Sequence, residues 1–466
     1  MRLGTRRPRD GLLGAVADHV AATGVLLVGG ASERFGSPKA LAPFRGETLA
    51  ERAWRALSEV CDEVIVVGKA GDAHELPFPV VGDGSDEHAP VHGVIAGLRA
   101  ARNDVCLVLP VDTPLVTPEL LRELVAADAV PQTGPLPGVY SKTMLAALES
   151  RVSAGELSLR GVNSTVHEVD ESLLHNVNTG MELLAAAIAD WARERDDVRA
   201  ALVVGSQVRS DVSADRWSDL DVGLFVDDPA RLADDATWVE EFGRPVLTFL
   251  EPTAFGDRVE RHVLYESGEE VDFALLEAVA WRGFASLPEA RITAGRGYRV
   301  LYDEVGLSDA LRELPAAAAP APADAAELTE LASDFWYHVL WAAKKLRRGE
   351  VFTAISCLDG YLKERLVTLM EWHARAVDPS VDVWHDGRFL ERWADPGALA
   401  ALERAYAHYE LRDVARALWE TIDLFQGLEE ETARRLGLAI ELDHADLRRR
   451  VSEIVRDPRP GRTLSP

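Results

Sequence analysis

VLLVGGASERFGSPKA, from Val25 to Ala40, carries an apolar strand into a glycine pair and then into a basic, hydroxyl-bearing turn. Glycines let a backbone come close to phosphates, and the amides of such a turn can cradle an anion. Arg34 and Lys39 add positive charge, and the helix that follows offers the positive end of its dipole. The spacing is neither GxxxxGK[ST] nor GxGxxG. Leu27, Gly29, Gly30, Arg34 and Lys39 are therefore the candidate nucleotide-binding residues here.

Outward from this stretch, EVIVVG (Glu63–Gly68), PFPVVGD (Pro77–Asp83) and DVCLVLPVD (Asp104–Asp112) read as further buried strands. Helical spacing over Thr48–Val60 and Val94–Ala101 lies between them. Strands alternating with helices predict an α/β fold with a doubly wound, mostly parallel sheet. Ligands of such sheets lie beyond the carboxyl ends of the strands. Gly29-Gly30 and Asp112 both fall at strand ends, so the pattern turns them toward one crevice.

A second glycine-bearing turn follows in ALVVGSQVRSDVSADRWSDLDVGLFV, from Ala201 to Val226. Gly205-Ser206 can receive phosphate through backbone amides and a hydroxyl. Asp219 and Asp221, two apart on a strand, face one side. Asp272, in the VDF of Val271–Phe273, supplies a third carboxylate on a neighbouring strand. Three carboxylates together repel unless a cation lies among them, and an oxygen-rich pocket suits Mg²⁺. Gly268-Glu269 predicts a hairpin. The strands here predict a small mixed sheet, shorter than the first.

Residues 315–326 are alanine- and proline-rich and read as a linker. Beyond it the pattern is helical, with Ser333 or Asp334 placed to cap a helix starting at FWYHVLWAAKKL. Ala354, Leu358, Leu362, Leu366 and Leu369 form another apolar stripe. The expected organisation is an amino-terminal arm (1–23), a first α/β domain (24–184), a second mixed-sheet domain (185–314), the linker, and a helical bundle (327–455).

Acidic side chains number 77 against 50 basic ones. Such a surface repels phosphate backbones and argues against nucleic-acid partners; it can attract a polycationic small molecule. Cys61, Cys106 and Cys357 are far apart and support neither a disulfide framework nor a zinc site. A reducing cytoplasm fits. No apolar run approaches the ~20 residues of a membrane span.

The first stretch resembles the LxGGxSxRxGxxK signature of MobA-like nucleotidyltransferases. VVGDGS with Asp83, PVDTPLVTPE with Asp112 and NVNTGMEL from Asn176 resemble that family's later elements in order. The resemblance implies transfer of a nucleotidyl group, GMP from GTP, to a phosphorylated acceptor such as molybdopterin. It also implies Asp83 on the nucleotide side and Asp112 as a Mg²⁺ ligand and catalytic residue. Sugar-phosphate and cytidylyl transfer are alternatives within the same family. Ala89-Pro90-Val91-His92-Gly93 departs from the usual GPLxG, and Gly180 stands where proline is common.

The second stretch resembles polymerase-β-like nucleotidyltransferases. More closely, from about Ala185 to Gly437, it resembles the streptomycin (aminoglycoside) 6-adenylyltransferases. That resemblance implies transfer of AMP from MgATP to a hydroxyl of an aminoglycoside-like small molecule. Asp219, Asp221 and Asp272 would be its metal-binding and catalytic residues, and Gly205 and Ser206 its phosphate contacts. Gln207 stands where arginine is usual. The acceptor's general base is expected to be a carboxylate, with Glu364 and Glu371 as candidates. A different reading makes one of the two domains a nucleotide sensor or scaffold without turnover.

Overall fold

A computed structural model of the chain describes residues 20–29, 38–69, 76–209, 214–253, 258–284, 288–314, 321–383 and 387–456. Two compact units result, 1–317 and 318–466. Most of the expected arm, through residue 19, and linker residues 315–320 lie outside the described residues.

The first unit contains two sheets. In the first, β1 (Val20–Leu27), β2 (Cys61–Gly68), β3 (Val80–Gly82), β4 (Val105–Pro110) and β5 (Gly138–Ser141) lie in the order β3-β2-β1-β4-β5. All pairs are parallel except β4 with β5. β1 starts earlier than the strand expected from Val25, so residues 20–23 belong to the sheet and not to an arm. Ala22 and Thr23 are fully buried there. Helices α1 (Leu49–Ser58), α2 (Pro90–Ala100), α3 (Pro118–Ala127) and α4 (Leu145–Ser153) connect and flank the strands. Thr48 caps α1 and Glu51 returns the bond to the Thr48 amide, which satisfies two groups a helix start would leave unpaired.

The second sheet is mixed, as expected, but it is not the shorter one. It has six strands: β6 (Val198–Val204), β7 (Leu220–Val226), β8 (Pro245–Pro252), β9 (Val259–Tyr265), β10 (Glu270–Glu277) and β11 (Arg299–Asp303), in the order β8-β9-β10-β7-β6-β11. The added strand, β11, follows helical sequence and shows little alternation, so no pattern announced it.

Helix α5 (Gly180–Glu194) lies between the sheets, and the junction expected at 184/185 falls inside it. Its Leu184, Ala185, Ile188 and Trp191 enter one continuous apolar core that also holds Leu26 and Leu57 of the first sheet's layer and Val203, Val222 and Phe273 of the second. Burying one leucine or isoleucine contributes roughly 1.5–3 kcal/mol, so these contacts bind the two sheets tightly. Trp191 stacks on Trp238 with ring centroids 5.5 Å apart. Arg45 and Arg52 both reach Asp190 of α5, at 2.8 and 2.5 Å.

The second unit is helical, built on α6 (Ala325–Arg347), α7 (Leu362–Val377), α8 (Pro396–Ala405), α9 (Leu411–Leu436) and α10 (His444–Arg456). The cap of α6 is Asp324, which accepts from the amides of Ala326 and Glu327, and not Ser333 or Asp334. Those two lie inside the helix: Ser333 donates to Thr329 O, and Asp334 accepts from Tyr361. Phe335 stacks on Phe425 at 3.7 Å within the bundle core. Among the described residues no helix is long and apolar enough to cross a membrane.

Candidate active sites

The carboxyl ends of β1, β2 and β4 open into a cavity of about 360 Å³ lined by Leu27, Gly29, Lys39, Lys69, Asp83 and Asp112, among others. Gly29 is held against β2: a Cβ there would lie 3.3 Å from the Lys69 amide nitrogen. Gly30 and Arg34 lie outside the described residues.

Lys39 opens a short 3₁₀ turn, and its Nζ donates to Asn178 Oδ1 at 2.8 Å and lies 3.5 Å from Asp112 Oδ2. Asp112 follows β4, and its carbonyl accepts from the Val177 amide at 2.8 Å. Burial pushes the Asp112 carboxyl up, and the Lys39 ammonium offsets part of that. A half-buried carboxylate with the Lys39 ammonium beside it is a site that a further positive charge would relieve.

Asp83 is not a bare carboxylate facing the cavity. Lys69 Nζ lies 2.7 Å from its Oδ2 and also donates to the carbonyls of Ser85 and Glu87. The first turn of α2 closes the wall with Ala89, Pro90 and Gly93. Gly93 lets the helix pack close to β1, since a Cβ would meet Leu27 Cδ2 at 2.8 Å and force that side chain to shift. The departure from GPLxG thus keeps the glycine that packs the helix on β1. His92, one residue earlier, pairs with Glu87 at 3.1 Å.

In the second sheet, β6 ends in the turn Gly205–Gln207, with Gly205 at φ 73°, a left-handed conformation that favours glycine. β7 runs antiparallel to β6 with Asp221 opposite Val204, and parallel to β10 with Asp221 beside Asp272. Asp219, Asp221 and Asp272 each bring a carboxylate oxygen within 4.8 Å of the others. Burial pushes the Asp272 carboxyl up, and Asp219 pushes it in the same direction, while His262 pulls it down. Ser206, the middle residue of the turn, is buried, its Oγ 3.5 Å from Asp219 O. Gln207 Nε2 donates to Ser218 O, so this side chain secures the loop.

Two family models match the chain: "Streptomycin adenylyltransferase" over residues 180–453, and "MobA-like NTP transferase domain" over residues 24–169. The chain belongs to both families. The first match begins at Gly180, the first residue of α5. A probable molybdenum cofactor guanylyltransferase of Chloroflexus aggregans is 35% identical over 170 residues, 33% of this chain and 81% of that protein. Another, of Aquifex aeolicus, is 32% identical over 175 residues, 34% of this chain and 86% of the relative. The crystal structure of an aminoglycoside 6-adenyltransferase from Bacillus subtilis aligns with 59% of this chain and 98% of its own, at 17% identity and a TM-score of 0.30. The chain is a nucleotidyltransferase, with one family's domain following the other.

Sequence reasoning missed Lys69 and His262. Lys69 directly follows the β2 run and could have been read as a strand-end cation. His262 could not be found by counting from a turn at Gly268-Glu269: the hairpin centres on Ser267, and that register is what sets residue 262 opposite residue 272. Glu364 is exposed on α7 and takes a bond from Arg365, so nothing about it marks a base.

Proposed function

We propose that this chain carries two separate nucleotidyl-transfer activities. The first moves GMP from GTP to a phosphorylated small molecule of the molybdopterin type. The second moves AMP from ATP to a hydroxyl of an aminoglycoside-like acceptor. The observation that carries the reading is the convergence of Asp219, Asp221 and Asp272 beneath the Gly205 turn, on a different sheet from the Lys39–Asp112 pair.

In both reactions an acceptor oxygen forms a bond to the α-phosphorus, and the bond to the bridging oxygen breaks with release of pyrophosphate. At the first site Leu27 and Gly29 would flank the nucleotide, with Asp83 on its far wall. Lys39 would set a positive charge beside the phosphates, and Asp112 would hold Mg²⁺. At the second, the Gly205 and Ser206 amides would meet the triphosphate, and Asp219, Asp221 and Asp272 would hold Mg²⁺. A magnesium ion at either place draws charge from the phosphoryl oxygens as it builds. The acidic balance of the chain fits small-molecule acceptors better than nucleic acid.

The test is pyrophosphate release by the full chain. MgGTP is supplied with molybdopterin, and MgATP with a panel of aminoglycosides. Release dependent on both members of each pair is expected. Binding of either nucleotide without release on any acceptor would favour a sensing role for that site.

A further inference from the structure

His262 lies on β9 directly opposite Asp272 of β10. Its Nδ1 is 2.7 Å from Asp272 Oδ1. An ionised carboxylate can only accept, so Nδ1 is the donor when Asp272 is charged. The ring has little freedom. Phe249 of β8 stacks on it with centroids 4.8 Å apart and planes at 15°. Its Nε2 is buried and makes no hydrogen bond among the described residues, although Glu251 Oε2 lies 3.5 Å away. A half-buried carboxyl, Glu260, sits on the same strand; partial burial pushes it up, Asp272 and Asp219 add to that, and His262 pulls it down.

Asp272 therefore has two demands on it. It is crowded by like charge from Asp219, and one of its oxygens is engaged from the side away from the acidic cluster's other strand. A carboxylate crowded by its neighbours would rotate away unless something fixed it. We infer that His262 is a positioning residue of the second site: by binding one oxygen of Asp272 it holds that carboxylate in the orientation from which the other oxygen joins Asp219 and Asp221 around a divalent cation. This rests on the proposed reading of the acidic cluster. Partners that orient metal-binding carboxylates typically account for 10- to 100-fold in metal affinity. Phe249 is half exposed, so its packing on the imidazole buries little apolar area of its own and serves mainly to fix the ring.

The test is Mn²⁺ binding to the full chain, followed by electron paramagnetic resonance and restricted to the class of ions that Asp272→Asn removes. His262→Leu keeps apolar bulk beneath Phe249 but cannot donate. His262→Asn places an amide nitrogen near the position of Nδ1. The expected result is a loss of about 10-fold or more in Mn²⁺ affinity for His262→Leu, with His262→Asn staying within about threefold of the parent. Metal-free thermal unfolding of the two variants should coincide. Parental affinity in His262→Leu overturns the inference, and so does equal loss in both variants, since that would make the ring packing material only. If Asp272→Asn removes no Mn²⁺ at all, the reading of the acidic cluster fails and the inference falls with it.

Discussion

Gly205 and Asp221 share one space: a Cβ on Gly205 would fall on the Asp221 carboxylate. The glycine thus serves twice. It permits the left-handed turn at φ 73°, and it leaves room for an acidic side chain directly beneath the amides proposed to meet phosphate. Gly205→Ala should lower ATP-dependent pyrophosphate release by about 100-fold or more, because it strains the turn and displaces a metal-binding carboxylate. GTP-dependent release should stay at the parental rate. Steady-state assays with each nucleotide check both halves.

A second glycine marks where the two families meet. At Gly180 the usual proline is missing, and the Glu269 carboxylate from the β9–β10 hairpin fills the space its ring would take. That carboxylate lies at the amino terminus of α5, where a negative charge is worth roughly 0.3–1 kcal/mol. Glu269 is flexible and can swing away, so Gly180→Ala should cost no more than about 1 kcal/mol. Glu269→Gln should cost a similar amount, and the double variant should cost about as much as either single one. Urea unfolding of the four proteins tests this; full additivity would mean that the two residues do not interact.

The helical unit carries a buried acid. Glu429 on α9 is fully buried, neither of its oxygens makes a hydrogen bond among the described residues, and its Oε2 lies 3.2 Å from His444 Nε2. Burial, with Glu430 adding to it, pushes Glu429 up to about 7 from 4.5. The folded state therefore keeps a proton that the unfolded state gives up between these values. The contribution is complete below pH 4.5 and is lost as pH rises through about 7. Glu429→Gln should gain on the parent across that window by on the order of 3 kcal/mol, and the gain should level off above it. His444 is pushed down by burial and works in the opposite direction, which is why the difference between variant and parent is the quantity to measure. Denaturant unfolding from pH 4 to 8 gives it.

Much of the arrangement was legible in the residues. Of the two aspartates expected on one strand, Asp221 lies in β7 and Asp219 just before its first residue, yet the two carboxylates still come together with Asp272; the glycine turns announce where strands end. The parallel order of the first sheet follows from alternating strands and helices. Other features depend on partners far along the chain. Lys69 neutralises Asp83 across 14 residues, and α5 is shared by both sheets because its apolar face meets each of them. The cap of α6 lies nine residues before Ser333 and ten before Asp334, the positions the local pattern favours. Asp324 closely follows the proline-spaced stretch, and the buried stripe already runs through Leu328, Leu331 and Ala332 before it reaches the aromatic cluster at Phe335. Local pattern finds a strong stripe more readily than a helix start.

The central claim is that two chemically separate sites work on one chain, and paired single substitutions test it most directly. Pyrophosphate release should be measured with GTP and with ATP, each with its acceptor, for Asp112→Asn and Asp221→Asn. The account predicts that Asp112→Asn loses the GTP-dependent reaction and keeps the ATP-dependent one, and that Asp221→Asn does the reverse. Loss of both reactions from either substitution, or of neither from both, would contradict it.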